Sequence, residues 1–177
     1  MTNQSSESLL RLLEEWSATM PPAAVRIERE PDPHSEYEPS VAMRFRPKRQ
    51  RECNLDITIT DTGYCGLFVD SWSRLAARYG IGYSKPHPPA EDVIALYLEP
   101  RLLPAELVLA ACKAVAAGEV HLEIGIVLNR IVGTRGFLRL PSGPFRMDGV
   151  GAPMLVSKML EKAKLGAIQR VVYDPWF

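Results

Sequence analysis

The chain has 177 residues, 46 % of them apolar and 24 % charged, with 21 Lys and Arg against 21 Asp and Glu. That length suffices for one domain with a proper core, and the composition is that of a globular protein, neither disordered nor fibrous. Overall neutrality gives no general support to a polyanion partner, and Cys53, Cys65 and Cys112, widely spaced and without a CxxC or Cys/His ladder, speak against structural zinc.

The charge is unevenly spread. Residues 1–40 carry eight acids and three bases, whereas RFRPKRQR (44–51) holds five cations in eight positions. Such asymmetry can steer a charged partner without bearing on the fold. MTNQSSESLLRLLEEW has no basic leader followed by an apolar run and a cleavage site, and no apolar stretch is long enough to span a bilayer. A cytoplasmic protein with reduced thiols is the expectation.

In chain order, residues 5–19 predict an amphipathic helix, capped by Ser6 or Ser8, with Leu9, Leu12, Leu13 and Trp16 on one face. Met20-Pro21-Pro22 ends it, a short strand follows near 24–29, and EPDPHSEYEP (30–39) is an acidic, proline-rich loop. VAMRFR (41–46) and ECNLDITIT (52–60) alternate apolar and polar residues, the mark of strands with one buried face. Paired around a 47–51 loop, they set Phe45 opposite Cys53, Met43 opposite Leu55 and Val41 opposite Ile57, with Arg46 against Glu52. Asp61-Thr62-Gly63 then turns the chain into YCGLFVD, with Ile59 facing Cys65, Ile57 facing Leu67 and Leu55 facing Val69.

A short helix over 71–80 stops at Gly80, and 82–89, rich in proline, is the candidate internal linker. A helix is predicted over 90–99, and another begins near Pro104 and ends at Gly118. EVHLEIGIVL (119–128) is a strand, followed by a glycine-containing turn and a return strand near 135–140. A helix over 153–165 and a strand over 168–173 complete the chain. The predicted class is α+β: an N-terminal helix, an antiparallel β-meander, central helices, a second β-hairpin, and a C-terminal helix and strand, on one mostly antiparallel sheet in a single domain over 1–177.

Few residues suggest chemistry. Asp61-Thr62-Gly63 resembles the aspartic-protease motif, in which two aspartates share a proton; one copy would require a homodimer. D-T-G is also ordinary turn chemistry between alternating strands, and that reading stands first. Glu119, His121 and Glu123 share a strand face and could contribute to a metal site, but a polar face neutralised by Arg135 or Arg139 is preferred. Cys53 and Cys65 fall on the apolar face of the meander, where thiols are poor nucleophiles. Gly149 and Gly151 precede the 153–165 helix without completing a phosphate-loop motif, so a turn is expected there. No catalytic residue, cofactor or metal is assigned.

The remaining candidates form a protein-recognition set. Glu36, Tyr37 and Glu38 lie in the acidic loop; Lys48, Arg49 and Arg51 make a basic tip; Trp72, Trp176 and Phe177 are aromatics of the kind that anchor interfaces, as is Tyr173. Folding back of the terminal Trp and Phe onto the core is the competing reading. The function placed first is a non-catalytic protein-binding domain of the immunity or antitoxin type, monomer or homodimer, which neutralises a cognate toxin or effector by direct contact. A small metal-dependent or aspartic hydrolase is the enzymatic alternative; a secretion-chaperone-like or nucleic-acid-binding accessory protein is the third. Phe45 points to the core, which leaves the basic stretch without aromatics for base stacking, so nucleic acid ranks low. No membrane partner is expected.

Overall fold

The computed structural model describes residues 4–31, 40–49, 51–60, 65–83, 95–96, 104–141, 143–147 and 166–177. Helix α1 (Gln4–Ser17) places Leu9 and Leu13 in the core and Trp16 at its edge. Ser6 does not cap it. The helix begins before Ser6, whose hydroxyl donates to the Thr60 carbonyl at 2.9 Å and ties α1 to the first sheet.

That sheet has the order β1-β2-β3-β4-β6. It comprises β1 (Val25–Pro31), β2 (Ser40–Pro47), β3 (Leu55–Thr60), β4 (Cys65–Val69) and the short β6 (Ala95–Leu96), all antiparallel. The alternation dictates which side is buried: Met43, Phe45, Leu55, Ile57, Ile59, Leu67 and Val69 all face the core. The β3–β4 register is the predicted one, with Ile59 opposite Cys65 and Leu55 opposite Val69.

The β2–β3 register is shifted by two residues from the prediction: Phe45 faces Leu55, Met43 faces Ile57 and Val41 faces Ile59. A one-residue slip would expose the apolar face, but a two-residue slip preserves it, so alternation alone cannot distinguish the two. The extra chain is used by Glu52 and Cys53, which leave the ladder and turn inward, both buried. Arg46 consequently forks onto Asp56, not Glu52, and Arg44 lies between Glu28 and Asp56 in register.

The described strands form two sheets, not one. The second has the order β10-β7-β8-β5, with β9 also on β8. Its strands are β5 (Gly82–Tyr83), β7 (Val120–Val127), β8 (Arg130–Leu140), β9 (Gly143–Met147) and β10 (Gly166–Val172). Gly82 and Tyr83 pair parallel with Arg130 and Ile131, so the start of the expected 82–89 linker is a strand. Within the expected 90–99 helix, residues 95 and 96 likewise pair as strand with β4. The β7–β8 turn is Leu128-Asn129, both at positive φ (47° and 60°), and the return strand starts at Arg130, earlier than predicted. Two central residues in the left-handed region define the tight hairpin turn whose twist suits antiparallel strands.

Helix α2 (Trp72–Tyr79) is bounded as its residues dictate. The Ser71 hydroxyl accepts from the Arg74 amide, and Gly80 closes the helix at φ 64°. Helix α3 (Ala105–Ala116) buries Val108, Ala111, Cys112 and Val115 and packs on α1 and β8. At its exit Gly118 has φ 73°, and a Cβ there would lie 2.8 Å from the Tyr173 carbonyl oxygen. One cluster of buried side chains runs from α1 through both sheets and α3 to Trp176. The class is α+β. The predicted 153–165 helix, Asp61-Thr62-Gly63 and Gly149/Gly151 lie outside the described residues.

Candidate functional site

The basic tip and the closing segment, read from the sequence as separate features, meet. Glu52 is buried to 1 % exposure and needs compensation, which Arg49 supplies: its amide donates to Glu52 Oε2 at 3.0 Å and its Nε to Oε1 at 2.6 Å. The same guanidinium reaches the closing segment, with Nη2 donating to the carbonyls of Pro175 (3.2 Å) and Trp176 (3.1 Å). The Asp174 amide donates to the Arg51 carbonyl at 3.0 Å, and the Trp176 amide to that of Ala116 at 2.9 Å. Arg49 is therefore a clamp between two chain segments as well as a surface cation.

The aromatics divide. Trp176 is fully buried, its indole stacked on Trp16 and Phe45 at 6.3 and 5.8 Å between centroids, and its Nε1–H donates to the Cys53 carbonyl at 2.9 Å. Tyr173 is also buried. Neither can serve as an exposed interface anchor; the apolar area of the indole is better satisfied against Phe45 and Trp16 than in water. Phe177, one residue further on, is 64 % exposed. Arg49, which bonds the carbonyl just before it, is exposed, as are Lys48 and Arg51 of the same basic loop. Trp72 is the first residue of α2; Glu36, Tyr37 and Glu38 lie outside the described residues.

Next to this surface lies a cleft of about 740 Å³ lined by Arg51, Asp70, Arg74, Ala77, Arg78 and Tyr79. Asp70 occupies the left-handed region at φ 56° immediately after β4, which turns its buried carboxylate back under α2. Its Oδ1 accepts from the Ser71 amide (2.9 Å) and its Oδ2 from the Tyr173 hydroxyl (2.7 Å), while Arg74 Nη1 stands 3.6 Å away. Burial, the strongest influence, raises the Asp70 carboxyl above its ordinary value, opposed by Arg74 and the Tyr173 hydrogen bond. Burial also pushes the Tyr173 phenol well above its usual range, so it remains a donor. Arg74 Nη2 donates to the Glu52 carbonyl at 2.7 Å, joining α2 to the basic loop. The Arg78 guanidinium lies 5.8 Å from the Tyr173 ring centroid and 5.9 Å from that of Tyr79.

Sequence reasoning did not single out Asp70, Arg74 or Arg78. The i,i+4 spacing of the two arginines in SWSRLAARYG does place them on one helix face. Their convergence with Arg51 and Tyr173 is tertiary and leaves no local signature.

On the second sheet, His121 stacks on Phe137 (4.8 Å between centroids, 10° between planes), and Arg170 Nη2 donates to its Nδ1 at 3.3 Å. Glu123 pairs with Arg135 at 3.7 Å, as the charge pattern suggests. Burial first, then Arg170, lowers the His121 pKa against the smaller opposing effect of Glu123. A guanidinium at Nδ1 is the wrong sign of charge beside a metal ion, and the described residues hold no group of three or more metal-ligating side chains. Burial pushes the thiols of Cys53 and Cys112 well above their ordinary value and that of Cys65 up to about 12, which makes all three poor nucleophiles. No helix among the described residues is long and apolar enough to cross a membrane. Compared with protein-family models, curated proteins and solved structures, the chain gives no match to any.

Proposed function

We propose that the protein is a non-catalytic protein-binding domain of the immunity or antitoxin type, which neutralises a cognate toxin or effector by direct contact. One observation carries the reading: the exposed Phe177 directly follows the Trp176 carbonyl that Arg49 binds, and Lys48, Arg49 and Arg51 of that basic loop are exposed. The Arg49 clamp fixes this placement, because it binds the carbonyl immediately preceding Phe177. An aromatic anchor within a cationic rim is the arrangement that protein interfaces use for affinity and for steering, respectively. The partner surface that complements it is acidic with an apolar pocket.

The test is co-expression and affinity capture with the products of the neighbouring genes. A stable complex with a toxin or effector is expected, lost in the Lys48→Glu/Arg51→Glu double variant and weakened in Phe177→Ala. Toxicity of that partner should be suppressed by the wild-type protein and restored by the double variant. Absence of a complex with every such product overturns the proposal.

A further inference from the structure

We infer that the cleft between the basic loop and α2 is a binding site for the phosphoryl group of a small ligand. Its described lining includes three arginines and one aspartate. The carboxylate of Asp70 is already engaged by the Ser71 amide, the Tyr173 hydroxyl and the nearby Arg74, and is only 2 % exposed. Arg51 and Arg78 have no carboxylate partner among the described residues, and both are exposed.

Arg74 and Arg78 stand one turn apart on the same face of α2, an i,i+4 pair of like charges that destabilises the isolated helix. Arg51 adds a third cation from a different segment. Asp70 lies beside Arg74, whereas Arg51 and Arg78 are left to meet an anion, and a phosphate monoester carries close to two negative charges at neutral pH. Guanidinium forks suit its tetrahedral oxygens, because each fork can donate two parallel hydrogen bonds. A cleft of about 740 Å³ is also within the size range of small-molecule sites. Except for Arg51, the site is separate from the proposed partner surface, and Arg78 and Ala77 belong to it alone.

The experiment is titration of the full chain with inorganic phosphate, followed by calorimetry and by thermal unfolding at constant ionic strength. Wild-type protein should bind saturably, with an unfolding midpoint that rises as phosphate reaches about 10 mM, since a ligand of the folded state stabilises it by mass action. Arg78→Gln and Arg51→Gln, both at exposed positions, should each weaken binding about ten-fold or more, the loss associated with one charge-assisted contact. Arg11→Gln, an exposed arginine on α1 far along the chain, should bind as wild type does. Succinate at the same ionic strength should give a smaller shift than phosphate. The inference is overturned by a shift no larger than that from sodium chloride, by succinate matching phosphate, or by both cleft variants retaining wild-type affinity. Because Arg78 lies outside the partner surface, a failure here leaves the protein-binding proposal standing, and the converse also holds.

Discussion

Replacing Trp176 with alanine probes the contact that joins the closing segment to the core. The indole is fully buried, stacked on Trp16 and Phe45, and hydrogen-bonded to the Cys53 carbonyl. Truncating a buried aromatic to alanine costs about 3 to 5 kcal/mol through lost transfer energy and the cavity left behind. The Cys53 carbonyl would also lose its indole donor, for which about 1 to 3 kcal/mol is the usual penalty when no replacement enters. Water entering the vacated space would recover part of that penalty, so the expected total is about 4 to 6 kcal/mol. Trp176→Phe keeps a ring between Trp16 and Phe45 and loses the N–H, so about 1 to 3 kcal/mol is expected for it. Urea unfolding followed by far-UV circular dichroism measures both. A loss below about 1 kcal/mol for Trp176→Ala would refute the placement of the indole, since surface substitutions fall within about 0.5 kcal/mol.

Two further outcomes follow from backbone geometry and burial. The Asp70 carboxyl has a folded-state pKa raised above its ordinary value of 3.8, so the folded state holds that proton more tightly and this group's contribution to stability is lost as pH rises through the raised value. Asp70→Asn, which remains compatible with positive φ and can pair with Tyr173, should therefore gain on wild type as pH increases from about 4 towards 7; a stability difference independent of pH contradicts the assignment. Leu128→Asn should stabilise the protein by about 0.5 to 1 kcal/mol, because Leu128 is 83 % exposed and sits at φ 47°, where asparagine is better tolerated; a lowered urea midpoint would refute this.

Local chemistry made some of this structure legible. Period-2 alternation marks the buried faces of β2, β3 and β4, and Gly80 marks the end of α2. Alternation has no power over a two-residue slip, so the β2–β3 register required the tertiary fact that Glu52 and Cys53 turn inward. The division into two sheets likewise depends on pairings such as Gly82 with Arg130, 48 positions away. Charge made the exposure of the basic tip legible, whereas the opposite fates of Trp176 and Phe177 depended on the tertiary stack of Trp176 with Trp16 and Phe45. The arginine-lined cleft was the least legible feature, since Arg51, the Asp70–Arg78 stretch and Tyr173 come from three separate segments.

In the proposed function the protein holds an acidic partner against Phe177 and the basic loop. The deciding measurement is titration calorimetry of the purified protein with each product of the neighbouring genes. A one-to-one complex with one of them is expected, its affinity falling at least about ten-fold in Phe177→Ala and further in Lys48→Glu/Arg51→Glu, with Arg11→Gln unchanged. A complex of undiminished affinity in both surface variants, or no complex at all, would contradict it.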